Sequence, residues 1–356
     1  MCAASSWRWR AGLVVGVLGV AGLLSGCATG QRESALVYFP PPPAVAHAVH
    51  LVSFNSLDEL APTRPSFLDV LRGPADFAGI EGPGGLACAN GALYVCDRLA
   101  GVVERWQLET GKKTTLGRGV LSKPVAVAVA EGGTVLVADP GLGEVVAFDA
   151  VGAVTGHWKP AQRESYQPVA IALAGATAWV ADAGNHALDR FNLTDGTHQG
   201  TVGAPGKEPG QFAFPSGLAI DAGGRVVVAD TFNSRVQVLG PDGSSLKTFG
   251  QAGDRYGDMG KPRQLAVGPD GVIFIADATF AHVHLFDGEG RLLMLLGGPQ
   301  HEAGGTPLPF GVAVAPTLPD RLTALVPDNF QAQYYLFVSN TVGTKRLSLF
   351  AVGLSQ

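Results

Sequence analysis

A proline followed by a short apolar segment recurs six times, and its spacing limits the possible folds more than any other feature of the chain. The copies are Pro83-Gly84-Gly85-Leu86-Ala87, Pro124-Val125-Ala126-Val127-Ala128, Pro168-Val169-Ala170-Ile171-Ala172, Pro215-Ser216-Gly217-Leu218-Ala219, Pro262-Arg263-Gln264-Leu265-Ala266 and Pro309-Phe310-Gly311-Val312-Ala313. The prolines are 41, 44, 47, 47 and 47 residues apart. In the first five copies an apolar run ends 14 or 15 residues later on an acid, at Asp97, Asp139, Asp182, Asp230 and Asp277. The sixth reaches Asn340 after an insertion at residues 316–333. Each repeat then shows a third strand, such as Val236-Gln237-Val238-Leu239, a turn such as Asp242-Gly243, and a fourth strand ending near Gly203, Gly250 or Gly297.

Four strands with tight turns describe a propeller blade. The runs are continuously apolar, as expected of sheets buried on both faces. No helical pattern of roughly 10–15 residues separates them, which excludes βαβ units. Composition agrees: 49 Gly and 24 Pro among 356 residues leave little room for long helices, and 46 % hydrophobic residues supply a large core. The expected fold is an all-β, six-bladed propeller over residues 47–356, with its repeats at 83–353. Near the C-terminus the last strand is only the third of blade six, Leu347-Ser348-Leu349-Phe350, so residues 47–54 are expected to supply the fourth and close the ring.

Ahead of the repeats, Arg8 and Arg10 precede an uncharged apolar run from Ala11 to Leu24, the layout of a secretion signal over residues 1–26. Leu24-Ser25-Gly26-Cys27 resembles the lipobox of bacterial lipoproteins, which implies acylation (palmitate among the chains) at Cys27 and anchoring to a membrane. Ala28 stands where an Asp is associated with inner-membrane retention, so the resemblance implies an outer-membrane location in the cell envelope. Residues 27–46, with Pro40 to Pro43, read as the lipidated Cys and a stiff polyproline tether. Without residues 1–26 the chain has 23 basic and 30 acidic residues, net −7, and no basic run, which argues against a nucleic-acid partner.

The repeats resemble those of the NHL-repeat six-bladed propellers. Residues 203–250 carry the resemblance best, with Asp230, Asn233 and Arg235 in the turn, and Asp182 with Asn185 repeats part of it. The lipobox, tether and propeller together resemble bacterial NHL-type lipoproteins. The resemblance implies a fold and leaves the function open, since relatives include enzymes, sensors and scaffolds.

Asp97, Asp139, Asp182, Asp230, Asp277 and Asn340 read as turn formers whose side chains accept backbone N–H bonds. The entrances to the innermost strands carry no carboxylate or His, so no metal or cofactor is expected. His282 and His284 share one face of a strand, with no third ligand placed beside them. Cys88 and Cys96 flank the turn at Asn90-Gly91 out of register for a disulfide. The connectors between blades are the expected binding face, because insertions in repeat folds gather there. They place Trp158, Arg163, Tyr166, Phe212, Arg255, Tyr256, Arg263, Gln264 and Phe310 as candidate ligand contacts. The resulting expectation is a non-enzymatic, membrane-anchored scaffold or sensor for an envelope protein or peptide. Its alternative is a lactonase- or lyase-like enzyme with a metal in the central channel.

Overall fold

The computed structural model describes residues 36–60, 79–161, 163, 165–300 and 303–355. The signal segment and Cys27 lie outside the described residues. Six antiparallel sheets form a ring, each built from a first strand on the central channel outward, as in blade four: Pro215–Ile220, Val226–Asp230, Arg235–Leu239 and Ser245–Phe249. The first strand of blade six, Pro309–Ala315, packs beside that of blade one, Pro83–Ala89, and completes the circle.

The period of a strand explains the continuous apolar runs. In Val226–Asp230 every residue is buried. Val226 and Val228 face blade three and meet Trp179 and Leu188, whereas Val227 and Ala229 face blade five and meet Ile273 and Ile275. One strand thus feeds two inter-blade cores. Each of these buried valines contributes about 1.5–3 kcal/mol relative to an exposed one.

Blade six joins the two ends of the described chain. Ala48–Phe54 pairs with Leu347–Ser355, from Ala48 opposite Val352 to Phe54 opposite Leu347, so the outer edge is covered as expected. A difference follows immediately upstream. Val37–Phe39 adds a fifth strand, with Val37 opposite His50, and the prolines turn the chain back so that the His47 N–H donates to the Phe39 carbonyl at 2.7 Å. Phe39 meets the Phe350 ring edge-on at 6.0 Å, which gives this three-residue strand an apolar anchor. Part of the expected tether therefore belongs to the sheet. The insertion at residues 316–333 forms a short helix, Asp320–Thr323, that buries Leu322, and then runs into an eleven-residue second strand, Phe330–Asn340. Cys88 lies opposite Leu93, and Cys88 and Cys96 are free thiols.

Candidate functional site

The recurring geometry of the blade turns builds one mouth of the channel. Asp97 accepts backbone N–H bonds from Glu81, Gly82, Leu99 and Ala100 at 2.8–3.1 Å, and so holds the turn that carries Arg98. Asp139 does the same for Ser122, Lys123, Gly141 and Leu142. Asp277 fixes Gly260, Lys261 and Thr279. Asp182 receives Gln167, Gly184 and Asn185, and Asp230 receives Ala213 together with the side chains of Asn233, Arg235 and Gln237. Asn340 differs: its amide donates to Ser348, while its Oδ1 is buried without a partner.

Above these turns lies a cavity of about 410 Å³. The entrance residues of the first strands, Val125, Val169, Ser216, Arg263, Gln264 and Phe310, all line it. Its floor is Gln264. From blade five this side chain reaches across the channel to donate to the Val125 carbonyl of the opposite blade two at 3.0 Å, and that carbonyl also accepts from the Gly85 N–H at 2.9 Å. Residue 85 favours glycine, because a Cβ there would lie 2.8 Å from the backbone carbonyl oxygen of Val125. Beneath Gln264 a void of only about 40 Å³ is walled by aliphatic side chains such as Leu86, Ile171 and Leu265.

Two guanidinium groups lie against the Phe310 ring, Arg98 at 4.6 Å and Arg263 at 5.2 Å from its centroid. Burial, and after it the neighbouring Arg263 charge, pushes the Arg98 pKa down, and burial does the same to Arg263. Both remain cations. Lys123 adds a third positive charge, and Phe214 adds a second aromatic wall, stacked at 4.8 Å on exposed Phe232. Ser216 is turned inward, its Oγ 2.5 Å from the Thr231 hydroxyl.

The structure divides the nine candidate contacts into three groups. Arg263, Gln264 and Phe310 come together at the mouth. Arg255 and Tyr256 sit on an outer connector away from the cavity lining, with Tyr256 89 % exposed. The remaining four differ from the expectation. Trp158, Tyr166 and Phe212 are buried: Trp158 ends the fourth strand of blade two opposite Val145, and Tyr166 and Phe212 pack from their connectors into the cores between blades. Trp158 stacks on Phe191 at 6.1 Å, and Phe212 fills the space beside Gly203. Arg163 is occupied by Asp182 at 2.8 Å and Asp189 at 3.3 Å. Arg98, Lys123, Gln167 and Phe214 escaped sequence reasoning. Their shared signal is positional: each directly follows a turn Asp or directly precedes a blade-opening Pro.

The donor set of the channel does not fit a metal. Gln264 supplies one amide amid aliphatic walls, whereas a hard cation needs about six oxygens. Among the described residues, no three His, Cys, Asp or Glu side chains are placed to hold a metal together. His284 lies 3.7 Å from Asp277, whose carboxylate is already engaged by the turn.

Residues 212–239 match the NHL repeat. No curated protein matches the chain. Solved structures with a similar fold include virginiamycin B lyase from Staphylococcus aureus, 12 % identical over 77 % of this chain and 86 % of that one, with a TM-score of 0.54. A gluconolactonase from Xanthomonas campestris is 15 % identical over 86 % of this chain and 90 % of that one, with a TM-score of 0.57. The calcium-binding protein regucalcin from Agrobacterium tumefaciens is 14 % identical over 78 % and 92 %, with a TM-score of 0.55. These likenesses correct the expectation of a non-enzymatic protein. The first-strand entrances lack a carboxylate or His, but a lyase and a lactonase share the fold, so the propeller gives no ground for excluding an enzyme. Identities this low show the fold alone. The chain is a six-bladed β-propeller that carries an NHL repeat at residues 212–239.

Proposed function

We propose that this protein is a lipid-anchored propeller of the bacterial cell envelope that takes a ligand into the mouth floored by Gln264. The observation that carries the reading is the 410 Å³ cavity, to which all six blades contribute side chains. Anchoring rests on the signal-like segment and Cys27, which follows Leu24-Ser25-Gly26. No helix among the described residues is long and apolar enough to cross a membrane. In this reading acyl chains at Cys27 hold the chain on the outer membrane. The rim, where Arg255 and Tyr256 are exposed, is available to an envelope protein or peptide.

A second reading has the same mouth act on its ligand, and the fold shared with lyase and lactonase structures favours it. Its groups would be Arg98, Lys123 and Arg263, which can stabilise a developing negative charge.

Both parts of the proposal have a direct test. The Cys27→Ala chain is expected to leave the membrane fraction and to lose a metabolically incorporated palmitate analogue; retention of both would remove the anchor. Ser216→Trp, which fills the mouth, is expected to abolish ligand capture from envelope extracts while the melting temperature holds. Unchanged capture would move the site elsewhere.

A further inference from the structure

The mouth concentrates positive charge that no direct salt bridge among the described residues takes up, with Asp97 and Asp277 acting on Arg98 and Arg263 only from the turns behind them. Among the described residues, none of Arg98, Lys123 and Arg263 forms an ion pair. The nearest carboxylates are already used. Asp97 and Asp139 turn their oxygens to backbone N–H groups, four donors each, and Asp277 is held in the same way. Arg98 makes one long contact, Nε to the Gly82 carbonyl at 3.4 Å. A chain with net charge −5 therefore holds three cations at one opening, two of them half-buried on one phenyl ring.

The polar neutral groups of the mouth have less to offer. Gln264 spends its amide N–H on the Val125 carbonyl, and Ser216 is within reach of Thr231 and the Pro262 carbonyl. Apart from the Gln167 amide, the other surfaces are largely apolar: Val125, Val169, Phe214 and the Phe310 ring. A polyhydroxylated neutral ligand would find the Gln167 amide as its main uncommitted neutral partner and would leave the guanidinium charges unpaired. A ligand with a carboxylate or phosphate head and an apolar body would pair its head with the guanidinium groups and lay its body on the aromatic wall.

We propose that the mouth recognises a small organic anion, its carboxylate or phosphate group held by Arg98 and Arg263 and its apolar part packed against Phe310 and Phe214. This rests on the reading of the mouth as the ligand site. The like charges now repel each other and are stripped of part of their water, so an anion relieves both costs. Placing the guanidinium groups on a ring fixes them in advance and lowers the ordering entropy of binding.

The test is calorimetric titration of the full chain in detergent with phenyl phosphate, benzoate, inorganic phosphate and the neutral benzyl alcohol. Phenyl phosphate or benzoate is expected to bind at least about tenfold more tightly than benzyl alcohol, as one charge-assisted contact implies. A preference for phenyl phosphate over benzoate would assign the head group as phosphate, and the reverse as carboxylate. Arg98→Gln and Arg263→Gln are each expected to weaken binding about tenfold or more, and raising salt from 50 to 500 mM to weaken it severalfold. Phe310→Leu keeps an apolar floor and should weaken the aromatic anions while leaving inorganic phosphate nearly unchanged. Binding of benzyl alcohol as tight as that of the anions, blocked by Ser216→Trp, would overturn the anion while keeping the mouth. Binding of no probe would overturn the anion inference, and the mouth with it if envelope ligands are also insensitive to Ser216→Trp.

Discussion

Blades four and six solve the same problem with different chemistry. In blade four the turn is a charged web: buried Asp230 accepts from the Ala213 N–H, Asn233, Arg235 at 2.8 Å and Gln237, all within one contiguous repeat. Blade six has Asn340 at that position, and Ser348, which faces Val338 as Gln237 faces Val228. Its hydrogen bonds run through neutral groups, from Asn340 to Ser348, to Ser53 at 3.0 Å and on to His50 at 2.8 Å. Arg346 turns to the Thr341 carbonyl instead. A blade made of neighbouring residues can anchor itself through a buried charge. The blade that joins distant segments depends on the apolar burial of Ala48–Phe54, with a neutral network aligning the seam.

The largest expected effect comes from attacking that burial. Val49 is fully buried in the seam, and Val49→Asp would strand a carboxylate there. Loss of more than about 4 kcal/mol, with unfolding already present without urea, is expected; an unchanged urea midpoint would show that the seam does not hold the ring.

Next, Asp230→Ala leaves Arg235 and Gln237 without their buried acceptor and should cost about 3–5 kcal/mol. Asn340→Ala removes one neutral hydrogen bond and should cost only about 1 kcal/mol. Equal urea midpoints for the two variants would erase the distinction between the blades.

Acid sharpens the contrast further. Burial pushes His50 down to about 4 from an unfolded value of 6.5, so the unfolded chain takes up the proton first. The stability due to neutral His50 is complete above about pH 6.5 and is lost as pH falls toward 4, by at most about 1.4 kcal/mol per unit. His284 is displaced the same way. His50→Gln should reduce the loss of stability between pH 6.5 and 4.5 and leave the part due to His284; an unaltered pH profile would contradict this. The smallest effect is expected at the added strand, where Phe39→Ala removes a half-buried ring and should cost about 1 kcal/mol in a thermal melt.

The ring itself was legible because a repeat advertises its strands six times, and because Leu347–Phe350 visibly lacks a fourth neighbour that residues 47–54 can supply. The fifth strand was hidden by Pro40 to Pro43, which read as an extended tether and act as a turn. At the mouth, Arg263, Gln264 and Phe310 could be named because they open first strands. Arg98 and Lys123 could not, since their convergence depends on how Asp97 and Asp139 curl the adjacent backbone. Trp158, Tyr166 and Phe212 show the reverse limit: an aromatic in or bordering a connector looks the same in sequence whether it faces solvent or wedges between blades.

The most direct measurement is a co-crystal structure of the full chain with phenyl phosphate. The account predicts the phosphate within hydrogen-bonding distance of both Arg98 and Arg263, with the phenyl ring against Phe310 or Phe214 above Gln264. An empty mouth at saturating ligand, or a phosphate bound only at the rim near Arg255, would contradict it.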